Sequence, residues 1–544
     1  MKEQFKRTGA LFLVLVMGAF VFPGCSHKLK ADTTSVNPEG VTEETTADSV
    51  YPIDTDVTLT YWMELNSNVA ANYNNMAETP FGRNLTKETG IGIEYIHPAS
   101  GQVPEAFNLL LSEKVLPDII ESNWLDYSGG PQKAIKDGII IPLNDVIEQY
   151  CPNLKAYLEA HPEIDAMVKT DDGTYYCFPF IRGGDALLTS TGLVLREDWL
   201  EELHLEVPET IEEWEGVLTA FKKEKNATAP FTFQYSLEAF TNNNPWEYAY
   251  GVTGNFYLDD NGKIAYGAVQ DGYKEYLQLM NRWMKQGLID VDLLTLTGEQ
   301  VAEKITNGSA GASFGYCGSG MGNWINAGKA KDGNYNLVAA PYPTLKKGTK
   351  PEMGQRDNNY IGIGSAAIST SCENIELAAK LLDYAYSEEG NRLYNFGEEG
   401  ISYELISGEP NYTEFLLNNP DGISVTHVMG GYNRANYNGP FVQDEAYVKQ
   451  YYTLEHQKDA VKIWADTNME KHIIPPITPT ADESQEQSQI MYDINTYRDE
   501  CTMKFIFGSM DFSEWDIYVD TIYKMGLNRV LEIQNDALKR YYAR

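Results

Sequence analysis

The fold is decided by three apolar runs, VTLTYW at 57–62, GIEYI at 92–96 and LPDII at 116–120. Between them lie two segments with helical character, one at about 80–89 and one at 105–112. Thr79 and Pro80 begin the first of these with an N-cap residue and a proline in the first turn. An alternation of strand, helix, strand, helix and strand predicts a parallel sheet covered by helices, and therefore an α/β protein.

The chain continues far beyond this sheet, and its length requires a second core. A single hydrophobic core stops growing at roughly 250–300 residues, whereas this chain has 544. Two extended runs, TYYCFPFIR at 174–182 and YIGIGSAAIS at 360–369, are expected to cross between two lobes. The predicted body at 51–544 then divides into lobe 1, at about 51–178 and 366–430, and lobe 2, at about 183–358 and 431–544.

The predicted second lobe begins with strong local helix signals. Thr210 and Glu213 form a capping box in front of an amphipathic helix. Apolar residues recur with helical spacing from Tyr273 to Trp283, and Gly287 follows as a C-cap residue. The stretch at 527–542 predicts a further helix near the C-terminus.

The N-terminal segment has the pattern of a lipoprotein signal peptide. Basic residues precede an apolar run at 9–22, which is shorter than the roughly 18 residues that a membrane-spanning helix needs. Gly24 and Cys25 follow, and this pair resembles the bacterial lipobox, in which the cysteine sulfur carries lipid. Phe22 departs from the lipobox, where leucine is usual, and an ordinary cleaved signal peptide is the alternative. We expect Cys25 to be lipidated and the protein to lie on the extracellular face of the cell membrane.

Residues 26–50 are expected to form a flexible tether between the lipid and the body. The segment is rich in Ser, Thr, Glu and Asp and has no aromatic residue, so it cannot bury enough apolar surface to fold. A flexible chain of this length spans on the order of 25–30 Å, at about 5–6 Å times the square root of the residue number. That distance lifts a globular body clear of the lipid headgroups.

Charge and cysteine usage exclude several classes of partner. The net charge of −36 argues against nucleic acid and anionic lipid. The cysteines are at positions 25, 151, 177, 317, 372 and 501. Their gaps are long and contain no CxxC motif, so metal ligation is not expected. With Cys25 lipidated, at most two disulfides could form, and buried free thiols are the favoured interpretation.

Enzyme motifs give little support to a catalytic function. The sequence contains no HExxH and no GxxxxGK[ST], and the GxGxxA match at 362–367 lacks the surrounding βαβ unit. Paired carboxylates of the glycosidase type arise easily by chance among 78 acidic residues. We expect the protein not to be an enzyme. A cell-surface glycoside hydrolase and a sensory or adhesion lipoprotein are the alternatives.

An ordered set of motifs runs through nearly the whole body. Its most specific members include LPDII (116–120), REDWL (196–200), GLID (287–290), PYP (341–343) and KFI (504–506). The set resembles the family 1 extracellular solute-binding proteins of bacterial ABC importers, in particular the large lipoprotein branch linked to oligosaccharide uptake. The resemblance implies a two-lobed α/β clamshell of the type II periplasmic-binding-protein kind, with additional C-terminal helices. It further implies a monomer that holds a sugar between its lobes and delivers it to the permease subunits of an ABC transporter.

One feature of the family is missing from this sequence. Relatives often carry an acidic calcium loop after the helix that ends near Phe221, whereas the segment here reads KKEKNATAP (222–230). It lacks the run of carboxylate oxygens that calcium needs, so we expect no metal and no cofactor. DDNG at 259–262 is expected to be a hairpin turn instead.

Aromatic and planar polar side chains on loops are the candidates for contacts with the sugar. Sugar rings present apolar faces and a rim of hydroxyls, and ligands of open α/β sheets lie beyond the carboxyl ends of the strands. The first lobe offers Trp62, Asn123 and Trp124. The remaining candidates are Trp246, Tyr316, Trp324, Arg356, Asn359, Tyr360, Tyr432 and Trp464. For each aromatic residue, packing in a hydrophobic core is the competing interpretation.

Overall fold

The strands and helices that the sequence predicts are present in the predicted order. The structure is a computed structural model that describes residues 51–233 and 244–544. Its strands are β1 (Thr58–Trp62), β2 (Gly92–Ile96), β3 (Ile119–Ser122), β4 (Ile181–Arg182), β5 (Thr191–Arg196), β6 (Phe231–Thr232), β7 (Phe256–Leu258), β8 (Ile264–Tyr266), β9 (Ala312–Tyr316), β10 (Leu337–Ala340), β11 (Ser365–Ile368), β12 (Tyr403–Ile406), β13 (Glu409–Tyr412) and β14 (Val442–Gln443). The lipobox, Cys25 and the tether lie outside the described residues.

Helices cover both sheets and dominate the C-terminal part of the chain. They are α1 (Ser67–Ala70), α2 (Pro80–Thr89), α3 (Val103–Leu110), α4 (Gly130–Lys136), α5 (Asn144–Tyr150), α6 (Pro152–Ala160), α7 (Pro162–Met167), α8 (Glu197–Leu203), α9 (Ile211–Glu224), α10 (Asp271–Gln286), α11 (Gly298–Asn307), α12 (Asn323–Lys329), α13 (Ile375–Tyr384), α14 (Glu388–Phe396), α15 (Glu414–Leu417), α16 (Val425–Tyr432), α17 (Ala446–Tyr451), α18 (Glu455–Ala465), α19 (Ala481–Phe507), α20 (Trp515–Met525) and α21 (Leu527–Tyr541). Within 51–233 and 244–544, no helix has the length and apolarity that a membrane crossing requires.

The three apolar runs form the centre and one edge of the first sheet. Its strand order is β11-β3-β1-β2, and β1 pairs in parallel with both β2 and β3. The predicted parallel arrangement is therefore confirmed for these strands. The run at 360–369 supplies β11, which pairs antiparallel with β3 and places Ser365 opposite Ser122.

The second sheet is mixed and is built from a later part of the chain. Its order is β10-β5-β9-β6, with β5 antiparallel to both of its neighbours and β6 parallel to β9. Strand β5 is buried along almost its whole length, and Trp464 of α18 packs against it at Gly192. The capping box predicted at Thr210 and Glu213 starts α9, as expected.

Each sheet has its own hydrophobic core. One core gathers residues such as Leu59, Ile119 and Ala367 around the first sheet, and the other gathers residues such as Leu195 and Trp214 around the second. We call the two sheets with their cores the first lobe and the second lobe. Both lie in one compact unit that covers all the described residues. This two-core architecture is the one that the chain length requires.

The boundaries of the predicted lobes fall among residues that change from one core to the other. Tyr394 packs in the first core, whereas Phe396, Tyr412 and Val428 pack in the second. The exact limits at 178, 358 and 430 therefore stay a prediction.

Three chain segments run side by side where the lobes meet. Phe178 and Ala366 exchange backbone hydrogen bonds of 2.7 and 3.0 Å, so the two predicted crossings are direct neighbours. Strand β4 also pairs in parallel with β14. This third segment is not predictable from the sequence, because a strand of two residues carries no periodic pattern.

The C-terminal helices are tied to the first lobe by charged side chains. Helix α21 confirms the helix predicted at 527–542. Arg540 Nε lies 2.5 Å from Asp171 Oδ2, and Arg544 Nη2 lies 2.7 Å from Asp171 Oδ1. Arg540 also reaches Glu483 at the start of α19. Since Asp171 is largely buried, these ion pairs are shielded from solvent better than ordinary surface pairs.

The five described cysteines, at 151, 177, 317, 372 and 501, are buried free thiols. Burial raises the pKa of Cys177, Cys317 and Cys372 to about 12. Because the thiolate is the reactive form, we expect the native protein at pH 8 to react with a disulfide reagent at none of these positions within minutes. Denaturation in guanidinium should expose all five. Rapid labelling of the native protein would contradict this arrangement.

Candidate ligand-binding site

A pocket of about 520 Å³ opens at the carboxyl edge of the first sheet. Glu64 follows β1, Asn123 follows β3, and Gly364 precedes β11, and all three line it. Since β11 is antiparallel to β3, its first residue lies at the same edge as the last residue of β3. This is the edge at which open α/β sheets bind their ligands.

A row of aromatic rings forms one wall of the pocket. Trp62, Phe107, Trp124 and Tyr127 follow one another with centroid separations of 5.8, 5.7 and 6.4 Å. Trp62 and Trp124 are 4% and 0% exposed, so they support the wall from behind. The rings that line the pocket are Phe107 and Tyr127.

At this edge of the sheet, the rings that face the pocket are therefore Phe107 and Tyr127 and not the predicted Trp62 and Trp124. Phe107 is partly exposed on α3, and Tyr127 is partly exposed directly after Trp124–Asp126. Both follow strands of the first sheet closely in the chain, and this was the signal that could have indicated them. Trp62 and Trp124 have larger rings than Phe107 and Tyr127, but Phe107 of α3 packs against both of them.

Polar side chains complete the rim of the pocket. Asn123 donates a hydrogen bond of 2.7 Å to Asp126 Oδ2 and accepts one of 3.2 Å from the backbone of Leu125. Gly362 faces this amide, and a Cβ there would lie 2.1 Å from Asn123 Oδ1. Asn438 reaches the same rim from the loop before β14. Of the predicted contact residues, Asn123 is the one that lines the pocket.

A buried ion pair forms the floor beneath this rim. Arg434 Nη2 lies 2.6 Å from Glu121 Oε1 and Nη1 lies 3.1 Å from Oε2, and Tyr61 donates a further 2.8 Å hydrogen bond to Oε2. Arg434 and Glu121 are only 3% and 7% exposed. Burial opposes the charge of Arg434, but Glu121 more than offsets this and raises the pKa of the guanidinium. The pair anchors the 433–438 loop, and with it Asn438, to the first sheet.

Trp246 lies in the core of the second lobe and offers no face to a ligand. Its ring is fully buried, and its centroid is 4.8 Å from that of Trp283, 4.9 Å from Phe231 and 5.0 Å from Trp214. The Asn-rich composition before it predicts an exposed loop, but Asn244 and the indole of Trp246 are both fully buried. The structure corrects the prediction for this residue.

Trp324 and Trp464 also belong to the packing of the second sheet. Trp464 donates a 3.2 Å hydrogen bond to the backbone oxygen of Leu193 and lies flat on Gly192, where a Cβ would lie 2.2 Å from the ring. Trp324 is 8% exposed, and the outer edge of its ring lies against Gly315, where a Cβ would lie 2.6 Å from Cη2. The glycine-rich stretch at 315–322 predicts a flexible ligand loop, but Gly315 instead allows Trp324 to pack closely against β9.

Arg356, Asn359 and Tyr360 hold the junction between the lobes. Asn359 donates a 2.7 Å hydrogen bond to the backbone oxygen of Arg182, and Arg356 Nη2 lies 3.2 Å from Asp185 Oδ1. Tyr360 is fully buried, and its hydroxyl lies 2.9 Å from that of Tyr176. These side chains do not line the pocket at the first sheet.

The last two candidates lie away from the pocket walls. Tyr316 ends β9 and is 61% exposed. Tyr432 ends α16 and packs edge-on against Phe415, with centroids 5.6 Å apart. Tyr316 therefore remains the predicted residue with the most available ring surface on the second lobe.

Two further motifs have structural explanations. GASFG at 311–315 matches the GxSxG pattern of hydrolase nucleophiles, but Ser313 lies in the middle of β9 with no exposure, and the chain makes no sharp strand-to-helix turn there. DDNG at 259–262 forms the predicted turn between the antiparallel strands β7 and β8. Among the described residues, no group of three or more His, Cys, Asp or Glu side chains could hold a metal ion.

The sequence from residue 66 to 392 matches the family model of bacterial extracellular solute-binding proteins. The chain belongs to this family. The match covers more than half of the chain and includes strands of both sheets. It confirms the family that the ordered motifs indicate.

Relatives of this solute-binding protein extend the match to the full chain. The fructooligosaccharide ABC transporter substrate-binding protein FusA of Streptococcus pneumoniae is 25% identical over 568 residues, covering 99% of each chain. Lipoprotein LipO of Bacillus subtilis is 24% identical over 473 residues, covering 84% of this chain and 88% of LipO.

Solved structures show the same fold. The alginate-binding protein AlgQ2 without calcium ion superimposes with a TM-score of 0.75 and 23% identity, over 91% of this chain and 100% of that chain. FusA in complex with kestose gives a TM-score of 0.72 and 23% identity, over 90% of this chain and 100% of that chain. The solute-binding protein therefore has the type II periplasmic-binding-protein-like fold that the resemblance implies.

Proposed function

We propose that this protein captures an oligosaccharide in the pocket at the first sheet and delivers it to the permease of an ABC transporter. The observation that carries the proposal is the similarity to FusA along 99% of both chains, since FusA is named for fructooligosaccharides. The pocket has the surface that a sugar needs. Phe107 and Tyr127 offer aromatic faces, and Asn123 and Asn438 offer planar amides.

The proposal places the protein outside the cell, held by lipid on Cys25. Its support is the lipobox-like sequence around Cys25 together with the similarity to a protein named as a lipoprotein. Two or more acyl chains are needed for stable anchoring, because each buried methylene contributes only about 0.8 kcal/mol. We propose a monomer that meets the permease and releases the sugar unchanged.

The proposal is tested by titrating a panel of oligosaccharides and analysing the sugars afterwards. We expect at least one member to bind, and its binding to raise the melting temperature by mass action. Chromatography of the mixture should return the oligosaccharide intact. Failure of every oligosaccharide to bind, or the appearance of shorter sugars, would overturn the proposal.

Phe107→Ala should weaken binding of that oligosaccharide about tenfold. The substitution removes the aromatic face that lines the pocket, and such a face contributes about 1 kcal/mol beyond the area it buries. Isothermal titration calorimetry gives the dissociation constant directly. Phe256→Ala is the matched control, because it removes a partly buried ring from the β7–β8 hairpin and should leave the affinity unchanged. Equal losses in the two variants would contradict the placement of the site.

A further inference from the structure

The pocket at the first sheet is lined by acidic side chains. Glu64, Glu121 and Asp126 lie on its surface, and none of the described residues that line it is Lys, Arg or His. The whole chain carries a net charge of −36, so the wider field does not compensate for this local excess. Because the charge of Glu121 is paired with Arg434, the negative charge that a ligand in the pocket meets comes from Glu64 and Asp126.

The cation beneath the pocket is already neutralised. Arg434 directs both terminal nitrogens to the carboxylate of Glu121, and its guanidinium lies 5.2 Å from the ring centre of Tyr437. Because it is 3% exposed and bidentate, it has no surface with which to pair with a second carboxylate. A ligand carboxylate at this site would have no positive partner among the pocket residues.

Glu64 is the carboxylate that a ligand can meet most directly. It follows β1 at the rim, is exposed, and makes no hydrogen bond or ion pair with any described residue. Partial burial, and then the neighbouring Glu121, raise its pKa above the usual value. A carboxylate in this position accepts hydrogen bonds from sugar hydroxyls, whereas a second anion beside it is repelled.

We propose that this pocket takes uncharged oligosaccharides and rejects sugar acids, and that Glu64 is the specificity-determining residue. The inference rests on the proposed function and adds the chemical class of the ligand. The hydroxyl groups of a sugar donate hydrogen bonds to Glu64, Asp126 and the side-chain oxygen of Asn438. The acidic rim therefore binds a neutral sugar although the ligand carries no positive charge. A uronic acid would place its own carboxylate beside the carboxylates of the rim. Its binding would require water to be removed from the ligand carboxylate and from the pocket carboxylate next to it.

The experiment compares uncharged and acidic trisaccharides of equal size by isothermal titration calorimetry. The probes are kestose, raffinose and maltotriose on one side, and trigalacturonate and an alginate trisaccharide on the other. We expect an uncharged probe to bind at least tenfold more tightly than either acidic probe at low salt. Raising the salt concentration should narrow this difference through the acidic probes alone, because screening acts only on charged ligands.

Glu64→Gln tests the residue itself. The amide keeps the shape and removes the charge, so binding of the uncharged probe should stay within about threefold, while trigalacturonate should bind about tenfold more tightly. Glu404→Gln is the matched control, because it makes the same change in net charge at an exposed position on β12 and should alter neither.

The possible failures are distinct. Tighter binding of an acidic probe than of any uncharged one would overturn the charge selection while leaving oligosaccharide capture intact. An equal response of the two glutamine variants would remove Glu64 from its role. Absence of binding by every probe would overturn the selection together with the proposed function.

Discussion

Arg434→Met is expected to lower the free energy of unfolding by about 3–5 kcal/mol, because it leaves Glu121 as a buried charge without its partner. The pair is almost fully buried, and Tyr61 donates to the same carboxylate. Loss of the guanidinium removes two charge-assisted hydrogen bonds and frees the 433–438 loop. Urea denaturation followed by circular dichroism measures the change.

Two variants make this result specific. Arg392→Met removes an arginine that pairs with Glu388 on the surface of α14, and should change the stability by less than about 1 kcal/mol. The double variant Glu121→Gln with Arg434→Met removes both charges and should recover part of the loss. If the double variant is as unstable as the sum of the two single changes, the electrostatic explanation is wrong.

Trp246→Ala is expected to lower the free energy of unfolding by about 3–5 kcal/mol, as is usual when a buried aromatic residue is truncated to alanine. The indole touches Trp214, Phe231 and Trp283, and the cavity left behind would lie among rigid rings that cannot collapse into it. Differential scanning calorimetry should show a lower melting temperature.

The affinity of this variant for oligosaccharide shows whether Trp246 is part of the hydrophobic core or stacks against the ligand. With Trp246 in the core, the dissociation constant of the folded variant should match that of the wild type. Tyr492→Ala, which removes a ring that is 75% exposed on α19, should leave the stability within about 0.5 kcal/mol. A large loss of affinity in Trp246→Ala without a loss of stability would restore the residue to the binding site.

The sequence predicts those parts of the fold that depend on local interactions. Thr79 caps α2 by accepting a 2.9 Å hydrogen bond from Gly82, as its position before Pro80 indicates. The capping box at Thr210 also depends only on hydrogen bonds between residues that are close in the sequence. The order of apolar runs then determines the first sheet, because its parallel strands are connected by helices of ordinary length.

Burial of aromatic residues depends on distant parts of the chain, and here the sequence fails. The segment around Trp246 is polar and predicts a surface loop, yet three rings from α9, β6 and α10 surround the indole. Arg356, Asn359 and Tyr360 likewise lie in a polar stretch of sequence, but they bond to the neighbouring segment at 176–185. Only the whole fold reveals such neighbours.

The edge of the sheet that carries the pocket was easier to predict than the side chains that line the pocket. The rule that ligands lie at the carboxyl ends of strands leads directly to Asn123. The same rule does not distinguish Trp124, which packs inward, from Tyr127, which faces the pocket three residues later. That difference depends on which ring α3 covers, and nothing in the neighbouring residues specifies it.

The return of β11 to the first sheet governs how the molecule could be dissected genetically. A truncated product that stops before Ser365 lacks an edge strand and exposes the backbone of β3 along one side. A product that starts after Ile368 lacks all four strands of the first sheet. An internal excision avoids both faults, since the backbone nitrogen of Arg182 already lies 2.8 Å from the carbonyl oxygen of Asn359. Joining the chain at Arg182 and Asn359 would remove the residues between them and keep all four strands of the first sheet.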